Sequence, residues 1–236
     1  MITFGSLFAG IGGFDLGFER AGMECRWQVE IDDYANRVLA KHWPNVHRER
    51  DILQCGRRNL ERVDIICGGF PCQDISYAGR GAGLDGERSG LFFEAIRVVR
   101  ELQPRIVVLE NVAALLSRGL DRVLGTLAEI GYDAEWHCVP AAAVGAPHIR
   151  DRVFVVADAN SDGKPDVPLN GKKRSSKRPS GNWWATEPDV GRVADGVPAR
   201  VDRLRGLGNA VVPQVAEFVA REFVLPMFQS EDTECT

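Results

Sequence analysis

Along the first 157 residues, short apolar runs rich in β-branched side chains alternate with stretches whose apolar positions recur at helical spacing. That alternation predicts repeated strand–helix units around a parallel sheet, an α/β sandwich. The strands are predicted at Thr3 to Phe8, Cys25 to Glu30, Val63 to Cys67, Arg105 to Glu110, Asp133 to Cys138 and Arg152 to Ala157, with a short extended piece ahead of Asp51. Helices are predicted at Gly13 to Ala21, Asp33 to Trp43, Gly90 to Leu102, Leu120 to Ile130 and Pro213 to Phe223. Asp32 or Asp33 suits the cap of the second helix, and Pro213 suits a first helical turn. From Asp158 to about Pro188 the pattern gives way to Asn, Ser, Gly, Pro and Lys, which cannot build a core. The chain therefore divides into a core at 1–157, a small basic insert at 158–204 and a segment at 205–236 that returns to the core.

Composition narrows this picture. With 236 residues, 44% hydrophobic and 26% charged, the chain is long enough for one large domain with a sizeable core. MITFGSLFAGIGG carries no basic leader, and no stretch of about 18 apolar residues offers a membrane span, so a cytoplasmic protein is expected. The six cysteines are scattered without zinc-ligand spacing or a disulfide framework, which predicts reduced thiols and no metal. A net charge of -4 argues against a uniformly basic nucleic-acid binder, yet Lys164 to Arg178 holds six basic residues against one acid.

Candidate chemistry gathers at the ends of the predicted strands, where ligands bind in open α/β sheets. LFAGIGG, Leu7 to Gly13, closes the first strand and opens the first helix, and Gly10 and Gly12 would let a ligand approach the backbone. Its spacing is not the dinucleotide GxGxxG. Glu30, ending the second strand, is placed to accept ribose hydroxyls, and Asp51 could accept from an adenine amino group. Together they favour an adenosine cofactor without phosphates, which S-adenosyl-L-methionine satisfies. At the other end, GGFPCQ follows the apolar run Val63 to Cys67 and exposes Cys72 in a tight turn, the position of a nucleophile. RIVVLENV ends in Glu110-Asn111, where partial burial would help the carboxyl hold a proton. The strands leading to Cys72 and Glu110 are consecutive, so their ends can be neighbours. Arg150 and Arg152 alternate at the start of the last strand, which predicts two guanidiniums on one face.

These pieces, with RSGLFFE at Arg88 to Glu94 and GNAVVP at Gly208 to Pro213, resemble those of the cytosine-5 DNA methyltransferases and occur in the family's order. The resemblance covers nearly the whole chain apart from Asp158 to about Leu204. It implies a Rossmann-like fold that takes a methyl group from S-adenosyl-L-methionine to carbon 5 of a cytosine flipped from duplex DNA. By that resemblance Cys72 adds to ring carbon 6, Glu110 holds or protonates ring nitrogen 3, Arg152 and Arg150 orient Glu110 and contact the base carbonyl or a phosphate, and Asn111 fixes the loop. The cofactor would lie against Phe8, Gly10, Gly12, Glu30, Ile31, Asp51, Ile52, Pro71, Leu91 and Asn209. DNA contacts would come from Gln73, Ser76 and Arg80 after the cysteine, and from Lys172, Lys173 and Arg174 in the basic insert.

The insert is smaller than the family's usual target-recognition domain, which implies a short or relaxed target. His148 stands where many relatives carry glutamine. A compact bacterial or phage modification enzyme is implied, a monomer acting on double-stranded DNA, alone or beside a cognate restriction nuclease. An RNA cytosine-5 methyltransferase and a DNA-binding remnant without turnover are the alternatives. Methylation of tRNA but not duplex DNA marks the first, and cofactor binding without transfer marks the second.

Overall fold

The structure, a computed structural model, describes residues 1–71, 90–159 and 200–229. A seven-stranded sheet in the order β3-β2-β1-β4-β5-β7-β6 runs through its centre. The strands are β1 (Thr3–Leu7), β2 (Glu24–Val29), β3 (His47–Glu49), β4 (Ile65–Gly69), β5 (Ile106–Val112), β6 (Asp133–Pro140) and β7 (Asp151–Asp158). The helices are α1 (Gly13–Arg20), α2 (Asp33–His42), α3 (Gly90–Leu102), α4 (Leu120–Glu129), α5 (Arg200–Asn209), α6 (Pro213–Val219) and α7 (Leu225–Gln229). A single π turn, Ala220–Val224, joins α6 to α7. Among the described residues no helix is long and apolar enough to cross a membrane.

The period of two along each strand separates two cores. Ile66, Val107, Leu109, Val153 and Val155 face the layer of α3 and α4, while Ile65, Cys67, Ile106, Val108 and Phe154 face that of α1 and α6. Asp32 caps α2 by accepting from Ala35 N at 2.9 Å, and Pro213 sits in the first turn of α6.

The sheet is parallel from β3 to β5 but not throughout. β7 runs antiparallel to both β5 and β6. The expectation of an all-parallel sheet fails at residues 141–150, because a parallel return requires a crossover of about a dozen residues or more. β7 instead folds back between β5 and β6, and this brings its first residues beside the carboxyl end of β5.

β1 and β4 are neighbours whose connections leave in opposite directions along the sheet. A crevice opens beyond the carboxyl ends of strands at such a switch point.

Candidate active site

A cleft of about 430 Å³ occupies that switch point. Phe8 and Gly10 enter it from the turn after β1, Glu30 and Ile31 from just after β2, Asp51 and Ile52 from the turn after β3, and Pro71 from just after β4. Leu91 of α3 and Asn209 of α5 complete this part of the lining, while Glu110, Asn111 and Arg152 form the far end. Residues separated by up to about two hundred positions thus share one cavity.

Local hydrogen bonds set the end of the cleft beside β1 and β2. Glu30 Oε2 accepts from Gly10 N at 2.7 Å and its Oε1 from Asp32 N at 2.8 Å. Both oxygens are held by backbone donors, and the lone pairs left over suit two adjacent hydroxyls. Asp51 caps the 3-10 turn Ile52–Gln54, accepting from Leu53 N at 3.0 Å. Arg97 of α3 ties that turn down by donating to Ile52 O and Cys55 O, each at 2.9 Å. The apolar walls Phe8, Ile52, Pro71 and Leu91 beside the held carboxylates of Glu30 and Asp51 fit a nucleoside without phosphates better than a polyanion.

Gly12 departs from its expected place. It does not line the cleft: a Cβ there would run into the Trp43 ring. Gly13 is bare because the Val211 carbonyl lies against it. Of the glycines in this turn, only Gly10 faces the cavity.

At the far end of the cleft, Glu110 pairs across the sheet with Gly69. Gly69 leaves the room that Glu110 occupies, since a Cβ on it would lie 2.9 Å from Glu110 Oε2. The Glu110 residue is only 8% exposed. Burial raises its pKa above the ordinary carboxylate value, and the charges of Arg152 and Arg150 oppose that rise. Arg152 Nε meets Glu110 Oε1 at 2.8 Å. Asn111 Nδ2 donates to Phe70 O at 3.2 Å, pinning the residues that lead to Cys72 against β5.

The two arginines separate. Arg152 lines the cleft, whereas Arg150 Nη2 donates to the main-chain carbonyls of Gly208 and Ala210. Cys72, Gln73, Ser76, Arg80, Lys172, Lys173 and Arg174 lie outside the described residues. Cys25, Cys55, Cys67 and Cys138 are free thiols. Burial pushes Cys25 and Cys67 well up and Cys55 to about 11, which makes these three poor nucleophiles.

The C-5 cytosine-specific DNA methylase family matches residues 2–195. The chain belongs to that family. It is 36% identical over 163 residues to the Type II methyltransferase M.HhaI of Haemophilus parahaemolyticus, covering 67% of this chain and 50% of the relative. It is 38% identical over 163 residues to M.Eco47II of Escherichia coli, covering 65% of this chain and 39% of that one. The chain thus spans half or less of the length of these curated relatives. A solved structure of a Spodoptera frugiperda DNMT2 variant superposes with a TM-score of 0.57 at 23% identity, over 70% of this chain and 52% of that one. That likeness bears on the fold alone, a Rossmann-like α/β sandwich.

Tyr34, Arg50, Asp202 and Gly206 of this methylase-family chain also line the cleft. Sequence pattern gives no sign of them. Gly206 of α5 comes close to Ile11 and Tyr34, so α5 closes over α2 from a distant part of the chain. Arg50 Nη2 donates to Ile31 O at 2.5 Å and holds the strand-end loop.

Proposed function

We propose that the chain is a DNA (cytosine-5-)-methyltransferase that uses S-adenosyl-L-methionine. The observation that carries this reading is the pair of buried Glu110 on β5 with half-buried Arg152 on β7, directly beside the end of β4 that leads into Phe70-Pro71-Cys72. Both lie in the same cleft as the backbone-anchored carboxylate of Glu30.

Glu30 with Ile31 would hold the ribose, Asp51 and Ile52 the adenine, and Phe8, Gly10, Pro71, Leu91 and Asn209 the remaining faces. The cytosine is flipped into the other end of the cleft. The Cys72 thiolate adds to carbon 6, and the electron pair of the 5,6 double bond moves into the ring. Glu110, kept protonated more readily by burial, gives its proton or a hydrogen bond to ring nitrogen 3 and offsets that charge. Arg152 holds the Glu110 carboxyl in place and stabilises it when ionised. S-adenosyl-L-methionine, when bound, supplies the electrophilic methyl group that carbon 5 takes. Loss of the carbon 5 proton to a base then restores the double bond, and the sulfur leaves as thiolate.

The duplex is met by Gln73, Ser76 and Arg80 and by the basic insert at 158–204, with Lys172, Lys173 and Arg174 on phosphates, which position without specifying sequence. A monomer in the cytoplasm is the expected form. A cognate nuclease is the further partner that the Type II relatives suggest for this chain.

The test uses a duplex with 5-fluorocytosine in place of cytosine. Fluorine cannot leave as a proton does, so turnover stops with sulfur attached to carbon 6. A protein–DNA adduct that survives denaturation, needs S-adenosyl-L-methionine and is lost in Cys72→Ala supports the reading. An adduct that persists in Cys72→Ala refutes the assignment of the nucleophile.

A further inference from the structure

Arg150 immediately precedes β7 and has a φ of 40°, a left-handed conformation that non-glycine residues seldom adopt. That turn takes it out of the strand alternation that would set it beside Arg152. Its Nη2 reaches Gly208 O at 2.9 Å and Ala210 O at 2.6 Å. These two carbonyls flank Asn209, the last residue of α5 and part of the cleft lining.

Helix-end carbonyls lack partners within the helix and carry partial negative charge, so a guanidinium there answers both needs. The next residue, Val211, is already anchored, because its carbonyl fits against the bare Cα of Gly13 on α1. Residues 208–210 therefore form the hinge between α5 and the anchored α6. Arg150, immediately before β7, clasps this hinge through both carbonyls.

Resting on the proposed cofactor assignment, we propose that Arg150 is a positioning residue that holds Asn209 and the end of α5 over the cofactor half of the cleft, and does not read the base or a phosphate. Its charge also favours the ionised form of Glu110. A role exercised only through Glu110 would alter the pH dependence of turnover and leave cofactor affinity alone.

The experiment compares the full chain with its Arg150→Ala and Arg150→Lys variants in three readouts. They are calorimetric binding of S-adenosyl-L-methionine without DNA, duplex binding without cofactor across a salt series, and hydrogen exchange over residues 206–212. For Arg150→Ala the clasp predicts cofactor affinity lowered about tenfold, the scale of losing charge-assisted hydrogen bonds. Exchange at 206–212 should rise, with duplex affinity and its salt slope unchanged. Arg150→Lys, which keeps the charge but not the fork, should fall between the two, and it carries the test if Arg150→Ala does not fold.

Unchanged cofactor affinity and unchanged exchange would overturn the proposal. So would a loss of duplex affinity with a shallower salt slope, the mark of a phosphate contact. If the unaltered chain itself binds no S-adenosyl-L-methionine, the proposed function fails instead, and the exchange at 206–212 still decides whether Arg150 forms the clasp.

Discussion

Glu110 sits where burial and a guanidinium act against each other on one carboxyl. Burial dominates and raises its pKa, and Arg152 at 2.8 Å limits the rise. If it serves as the proton donor, turnover should decline as pH rises through its titration. Glu110→Gln should lower kcat by about a hundredfold or more, within the range of general acid catalysis, and should abolish that limb of the pH profile. Steady-state rates across pH check both. At the other end, Glu30→Gln removes a charge while keeping the side-chain shape, and S-adenosyl-L-methionine affinity should fall about tenfold, the worth of one charge-assisted hydrogen bond. Calorimetry on the free protein measures it. Glu30 and Glu110 stood out in the sequence as acids closing apolar runs and Asp51 as an acid after a short extended piece, and all three line the cleft. The turn at Arg150 and the packing of Gly12 under Trp43 did not stand out, since both depend on groups brought in from elsewhere in the fold.

At the scale of elements, α1 and α6 meet through small residues. A Cβ on Gly17 would lie 2.5 Å from the Ala216 side chain and 2.6 Å from Pro213 O. Gly17→Ala should therefore cost about 1–3 kcal/mol through overpacking. Because α6 anchors the hinge before it, cofactor affinity should drop as well. Denaturant unfolding and calorimetry on the same preparation test the two effects together. Strand and helix positions were read closely from periodicity, as at Gly90–Leu102, which spans the range expected. The direction of β7 was not, because an apolar run such as Val153 to Ala157 looks alike in parallel and antiparallel settings. Only the shortness of residues 141–150 hinted at it. Helix α5 escaped notice because Arg200–Asn209 has a weak apolar face and two glycines, at 206 and 208.

Across the whole molecule, β1, β2, β3 and α1 are linked through one buried acid. Asp15 accepts from Gln28 Nε2 at 2.8 Å, Ser6 Oγ at 3.2 Å and Cys25 Sγ at 3.5 Å, and Arg48 of β3 donates to Gln28 at 3.3 Å. Burial outweighs these bonds and raises the Asp15 pKa from 3.8 to about 6. The folded state then binds more protons than the unfolded state between those values, so stability should fall as pH rises from about 4 to about 6 and level off above. Glu110, also raised, acts in the same direction. Asp15→Asn keeps an acceptor for Gln28 and turns its amide toward Ser6. Its unfolding free energy should lose part of that slope and exceed that of the unaltered chain near neutral pH, by up to roughly 3 kcal/mol. No periodicity marks Asp15, which reads in the sequence as an ordinary first-turn acid. The claim that joins these scales is that one cleft at the β1–β4 switch point serves cytosine-5 methylation of DNA. It is tested most directly by base-resolution sequencing of plasmid DNA from a methylation-free host expressing the full chain, beside its Cys72→Ala variant. The account predicts 5-methylcytosine at a short recurring motif with the unaltered chain and none with the variant. An unmethylated plasmid from a host in which the chain is folded and binds S-adenosyl-L-methionine would contradict it.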